Sequence, residues 1–345
     1  MPKINRSAAL TAIGALGVAA SAPSFIMAAP AKEKVLAVVG GEHAMVYFPW
    51  DLAKALGYFD AEGLDVELNY TKGGSEAATA LASGSCDYSG NAIDHAIAAA
   101  ERGKSLVMIA DFMNEPGITL LVRTQDKDAY KSFKEFKGKT LGVTSIGSAT
   151  DVIVHWMAKR AGLGRDDIKI IGVGAGATAP AALAGGQVDG TLGNDPFATQ
   201  LIRTGRAVAN LELFTPAAVR AAMGFNSYCF TGALTRADVI AKNPERTQKM
   251  INALVRAQKY MAAHTPEQIA AVLSDEFRGG VAEADWAAGY SHSRPAFTPN
   301  GEISLEGVKA VIETNNFYLN ATSKADPTKL FDNRFVDKAK RTVKV

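Results

Sequence analysis

The chain has only two cysteines, Cys86 and Cys229, in 345 residues. That is too few for a disulfide scaffold or for a zinc site built on thiolates. Two buried free thiols are expected, although an oxidising compartment would let them pair. None of the five histidines stands in an H-x-x-x-H arrangement, so metal-dependent hydrolysis has no visible ligand set, and no metal or cofactor is expected. An excess of either charge is missing too. The formal net charge of +2 comes from Lys3 and Arg6, because residues 1–31 contain no acid. The rest carries 35 basic and 35 acidic residues with no Lys/Arg block, which argues against nucleic acid as a partner. A membrane span is also lacking: the uncharged run Ala8 to Ala22 is too short to cross a bilayer comfortably.

The composition is 48% hydrophobic and 21% charged, that of a globular chain, and its length predicts two domains. The start reads Met-Pro-Lys-Ile-Asn-Arg followed by small apolar residues, a secretory signal pattern over residues 1–31. Cleavage is expected after Ala31, with Ala28 as the alternative. A single arginine argues against twin-arginine export, and no cysteine precedes Cys86, so an N-terminal lipid anchor is not expected. The address that fits is the periplasm, with the protein free and monomeric.

An internal echo organises the remainder. Ala80, Leu81, Ala82, Gly84 and Asp87 recur 102 positions later as Ala182, Leu183, Ala184, Gly186 and Asp189, and Gly74 matches Gly176. Each copy repeats one order of signals. A short apolar strand (Val35 to Val39; Thr140 to Thr144) leads to a helix (45–57; 149–161) that stops at Gly57 or Gly162. A second strand (Leu64 to Asn69; Ile168 to Ile171) passes through glycines into a short helix. Such alternation predicts right-handed crossovers and a mainly parallel sheet in each copy. The fold class is therefore α/β with two lobes, lobe 1 spanning 32–123 plus 228–345 and lobe 2 spanning 124–227. Strand C-termini should face the cleft between them. Asn243-Pro244-Glu245 and Thr265-Pro266-Glu267 begin further helices, expected to pack on lobe 1, with an extended polar tail after about 321.

The segments Leu56-Gly57-Tyr58-Phe59, Glu62-Gly63-Leu64-Asp65-Val66, Gly73-Gly74, and Gly138-Lys139-Thr140-Leu141-Gly142-Val143 with Gly147-Ser148 resemble the periplasmic solute-binding proteins of the nitrate/sulfonate/taurine and thiamine-precursor class of ABC importers. The resemblance covers nearly the whole chain after residue 31. It implies a type II periplasmic-binding-protein fold, a Venus flytrap that closes on one small molecule. The partners it implies are that ligand, an ABC permease and the permease's ATPase. Some relatives of this fold are thiamine-pyrimidine synthases carrying a cluster of cysteines, which this chain lacks, so a receptor without catalysis is expected.

Candidate ligand contacts follow from loops at strand ends. Ser145, Gly147, Ser148 and Thr150 open a helix after a strand, where hydroxyls and free N–H groups suit an anion; Ser148 would equally serve as the helix cap. In the first copy Glu42 and His43 hold the matching place, with Tyr47, Phe48 and Trp50 beyond, and Trp50 reads as core. Lys72 and Gly73 form a second loop, and Asn91, Asn194 and Asp195 end the third strands. Asp195 before Pro196 also reads as a helix cap; facing the pocket, it would favour N–H donors. The favoured substrate is a small organic anion, a sulfonate or carboxylate, possibly aromatic, with a heterocycle such as a thiamine pyrimidine precursor as the alternative. Gly172-Val173-Gly174-Ala175-Gly176-Ala177 imitates a dinucleotide fingerprint, but no ribose-binding acid follows on a later strand.

Overall fold

The computed structural model describes residues 31–323 and 325–344. The expected signal segment therefore lies, except for Ala31, outside the described residues. The chain runs β1 (Glu33–Val39), α1 (Phe48–Ala55), α2 (Tyr58–Ala61), β2 (Leu64–Tyr70), α3 (Gly74–Ser83), β3 (Tyr88–Ala92), α4 (Asp94–Ala100) and β4 (Leu106–Asp111). It continues with β5 (Thr119–Arg123), β6 (Thr140–Val143), α5 (Ala149–Arg160), β7 (Lys169–Gly172), α6 (Thr178–Ala184), β8 (Gly190–Gly193), α7 (Phe197–Arg203), β9 (Ala207–Glu212) and α8 (Pro216–Met223). The last part holds β10 (Thr231–Arg236), α9 (Ala237–Lys242), α10 (Pro244–Ala263), α11 (Pro266–Val272), α12 (Glu283–Ser293), α13 (Leu305–Leu319) and α14 (Arg334–Thr342).

Among the described residues the strands form two five-stranded sheets, in the orders β2-β1-β3-β10-β4 and β7-β6-β8-β5-β9. The two orders are the same pattern written twice, the structural counterpart of the echo at 102 residues. In each sheet the fourth strand is antiparallel to both neighbours. That strand is the first one the chain forms after crossing from the other sheet, which corrects one boundary. Ile118 to Arg123 was expected to end lobe 1, yet Thr119–Arg123 pairs with β8 and β9 in the second sheet. The outward crossing thus lies before Thr119, not at 124. Its residues Thr119 to Val122 are all buried, so hydrophobicity alone could not tell which sheet would take them.

Local chemistry explains the elements that position the cleft. Strand β3, inside the first sheet, and β4, at its edge, are buried along their whole length; the Met108 N–H of β4 donates to the Leu330 carbonyl, so a later segment covers that edge. Helix α5 starts where the Ser148 hydroxyl accepts from the Asp151 N–H. Helix α10 starts where the Asn243 side chain accepts from the Arg246 N–H, with Pro244 next, and it buries Met250, Ile251, Leu254 and Val255 completely. Each such side chain contributes about 1.5–3 kcal/mol relative to exposure.

The C-terminal helices differ from expectation by packing on both lobes. Helix α12 is fixed to the first by Trp286, whose ring lies 4.9 Å from that of Phe48, and by the Tyr290 hydroxyl donating to the Met261 carbonyl at 3.1 Å. Its other side packs on α7, and α13 packs on both α4 and α5. The tail is not extended: α14 is a helix that buries Phe335, Val336 and Ala339 against α10. Cys86 and Cys229 are both buried and unpaired.

Candidate functional site

The strand ends of the two sheets meet across a narrow cavity. From the first sheet's side Gly40, Tyr47, Gly74, Ala92, His95 and Phe230 line it; from the second, Thr144, Ser148, Thr150, Ala175 and Asn194. No Lys, Arg, Asp or Glu side chain is among its lining residues.

The lobes are closed on each other around this space. The Met45 N–H donates to the Asp195 carbonyl at 2.8 Å and the Ala175 N–H to the Lys72 carbonyl at 2.9 Å. Two hydroxyls also meet across the cleft, Ser145 to Ser75 at 3.1 Å, and the Ser75 hydroxyl donates to the Ile146 carbonyl at 3.2 Å. Glycine makes these approaches possible. A Cβ on Gly73 would stand 2.8 Å from the Ser145 Oγ, and one on Gly41 would stand 2.9 Å from the Ala175 Cβ. The loop that imitates a dinucleotide fingerprint is thus part of the second lobe's contact surface.

The hydroxyl cluster at the start of α5 is the best-built wall. Thr144, Ser148 and Thr150 hold one another at 2.9, 3.1 and 2.8 Å, and the Thr144 N–H donates to the Thr150 hydroxyl at 3.0 Å. A closed ring uses all three O–H groups, so a ligand acceptor takes one in exchange for one ring bond. Behind them Asp151 fixes the loop by accepting from the Gly147 N–H and the Tyr318 hydroxyl at 2.8 and 2.7 Å. Burial works to raise the Asp151 pKa, but bonds from His155, Gly147 and Tyr318 outweigh it and hold it below the ordinary aspartate value. The resulting negative charge sits in the first turn of α5, where the helix dipole favours it.

The candidates from sequence divide clearly. Ser148, Thr150 and Asn194 line the cavity. Ser145 and Gly73 are closure contacts, and Gly147 adopts φ +78° to turn the loop. Lys72 is exposed and contributes its carbonyl instead of its ammonium. Glu42 is exposed, and His43 is turned to Asp51 at 3.8 Å, outside the cavity lining. Asn91 is buried but spends its amide on the Gly74 carbonyl at 3.0 Å. The residue that matches Asn194 in the repeat is Ala92, one position on, and both line the cavity. Asp195 faces away: its carboxylate binds His292 and Ser293 at 2.8 Å each and the Thr199 N–H at 3.0 Å. It caps α7 and clasps α12, so it cannot select ligands by its charge.

Sequence reasoning missed His95. It lies in the first turn of α4, directly after β3, and that position relative to a strand end was the available signal. Tyr47, noted only as a neighbouring aromatic, also lines the wall, and burial pushes its hydroxyl pKa upward, keeping it neutral. Neither cysteine lines the cavity, and burial raises the pKa of both thiols. Among the described residues no group of three or more His, Cys, Asp or Glu is placed to hold a metal. No described helix is long and apolar enough to cross a membrane.

Comparison with known proteins gives a consistent picture. Residues 42–269 match the family model described as NMT1/THI5 like. A curated relative, a 4-amino-5-hydroxymethyl-2-methylpyrimidine phosphate synthase of Aspergillus parasiticus, is 28% identical over 64% of this chain and 65% of its own length. The chain thus spans just under two thirds of that relative. A solved structure from Bordetella bronchiseptica RB50 is 29% identical, with a TM-score of 0.83 over 89% of this chain and 97% of that one. The periplasmic aliphatic sulphonate-binding protein of Escherichia coli is 19% identical, with a TM-score of 0.66 over 86% of this chain and 97% of that one. The two-lobed α/β architecture is therefore that of periplasmic binding proteins.

Proposed function

The chain belongs to the NMT1/THI5-like family, and from that premise we propose that it is a periplasmic solute receptor of an ABC importer. Its ligand is a small organic acid, a carboxylate or sulfonate, held in the interlobe cavity and handed to the permease. The observation that carries this reading is the cavity wall of Thr144, Ser148 and Thr150 at the start of α5, with no carboxylate among the lining residues. Hydroxyls and a helix start stabilise negative charge. Closure is a population shift, driven only by the ligand's greater affinity for the closed form.

A receptor fits this site better than an enzyme. Its lining contains no cysteine, lysine or carboxylate to act as nucleophile or base, and the Nε2 of His95, its one imidazole, has no hydrogen-bond partner to orient it as a base. A second reading, a pyrimidine-like heterocycle, is favoured by the unpaired amide of Asn194 and by the name of the curated relative.

Thermal melting against sulfonates, nitrate, carboxylates and pyrimidines decides between them. A ligand at about 100 times its dissociation constant adds about 2.7 kcal/mol. Acids should raise the melting temperature, and Ser148→Ala should weaken them by about 1–3 kcal/mol. A shift with pyrimidines alone supports the second reading. Mass spectrometry of ligand released by denaturation checks the absence of turnover: recovery unchanged fits a receptor, and conversion defeats it.

A further inference from the structure

Asn194 is only 5% exposed and lines the cavity, yet its Oδ1 has no hydrogen-bond partner, and its Nδ2 makes no bond to any described residue. A buried polar group left unpaired is unfavourable and calls for a partner. The partner a carboxamide satisfies best is another carboxamide edge, which sets a donor and an acceptor side by side and pairs with it twice. A carboxylate offers two acceptors and leaves Oδ1 unpaired; an ester does the same and carries no charge.

The facing lobe supplies a second unpaired group. His95 is 7% exposed, lines the same cavity and leaves its Nε2 without a partner. The ring stands close enough to Gly74 that a Cβ there would lie 2.7 Å from Nε2, so the glycine keeps the nitrogen open to the cavity. The register of the second sheet sets the spacing. The hydroxyl wall follows β6 and Asn194 follows β8, and these two strands are hydrogen-bonded neighbours. Adjacent strands lie ~4.8 Å apart, so the group bound at α5 and the group bound at Asn194 are about one strand spacing apart.

Resting on the receptor reading above, we propose that the ligand is an amide-bearing acid, with its carboxamide or lactam about 5 Å from its carboxylate or sulfonate, and that Asn194 is the residue that selects the amide. His95 meets the far side of the ligand when the lobes close.

The test uses two matched pairs: 3-carbamoylbenzoate against 3-(methoxycarbonyl)benzoate, and 4-carbamoylbutanoate against monomethyl glutarate. Each pair keeps the acid and exchanges the amide NH2, a donor, for a methoxy group, which has none. Calorimetric titration of the purified protein should show at least one amide bound about tenfold or more tighter than its ester. Asn194→Leu should bring the ratio to about one while the ester changes little, and Asn194→Ala serves if the leucine variant does not fold. Equal affinity within both pairs overturns the inference and leaves the receptor standing. So does a preference that survives in the variant, or binding of simple acids with neither amide bound. If no acid of any kind binds, the receptor reading for organic acids falls, and this inference with it.

Discussion

Gly73→Val should weaken ligand binding ten- to a hundredfold while leaving the melting temperature of the ligand-free protein nearly unchanged. The argument rests on where the new atoms would go. Gly73 lies in extended backbone at φ −176°, which valine adopts without strain, so neither lobe suffers internally. The obstruction arises only across the cleft, where a Cβ would lie 2.8 Å from the Ser145 Oγ, 3.3 Å from its Cβ and 3.4 Å from the Thr144 carbonyl carbon. Rotating the serine relieves the first contact but not the other two, and the two valine methyls add more. Overpacking of this kind costs about 1–3 kcal/mol, charged here against the closed form alone. Because the ligand is enclosed only when the lobes meet, that cost appears as lost affinity. Titration calorimetry measures the loss, and small-angle scattering should show a smaller contraction on adding ligand. Gly164→Ala, whose Cβ would find nothing nearer than 3.5 Å, is the control. Wild-type affinity in Gly73→Val would mean that binding does not need this contact.

Much of this geometry was legible in the sequence because it depends on local signals repeated twice. The strand-then-glycine-then-helix order predicted β1, β2, β6, β7 and α5 within a residue or two of where they lie. Ser148, Thr150 and Asn194 were legible because strand ends and helix starts must face the cleft. What failed depended on long-range partners. Nothing in Ile118 to Arg123 reveals that its neighbours will be β8 and β9 instead of β3 and β4, since either sheet buries both faces of a central strand. Asn91 looked equivalent to Asn194, but the strand register differs by one residue, which turns its side chain to the Gly74 carbonyl. Lys72 and Glu42 carried the right chemistry in the right loops. A loop, however, has two sides, and both side chains lie on the outer one. His95 escaped because a histidine in the first turn of a helix reads as an ordinary core residue until the opposite lobe is in place.

Asp195 should prove the most sensitive single position for holding the lobes together, and its partner His292 should make that contact depend on pH. The Asp195 carboxylate is fully buried and accepts from His292, Ser293 and Thr199, while its carbonyl takes the Met45 N–H. Because α12 is fixed to the first lobe by Trp286 and Tyr290, the His292 and Ser293 bonds cross between lobes. Asp195→Ala leaves buried donors without a partner and should destabilise the protein by about 3–5 kcal/mol, read by denaturant unfolding. For His292 burial alone would lower the pKa, but the bond and charge of Asp195 and the charge of Glu212 outweigh it and raise it above the ordinary 6.5. Those two carboxylates and the Phe214 ring at 4.1 Å are what face the imidazole. A raised value in the folded state means that protonation stabilises it: the contribution is fully present below pH 6.5 and fades as pH rises through the raised value. Glu212 is half exposed, so its share is small, and the Asp195 bond supplies most of an expected 1.5–3 kcal/mol, roughly the range for a charge-assisted bond. His43 and His155 are raised as well and slope the same way, so the informative quantity is the difference between proteins. Wild-type stability should fall more steeply than that of His292→Gln as pH rises above about 6.5. Parallel stability profiles would show that His292 carries the same charge whether or not Asp195 holds it, and the clasp would then be a neutral hydrogen bond with no part in setting the pH response.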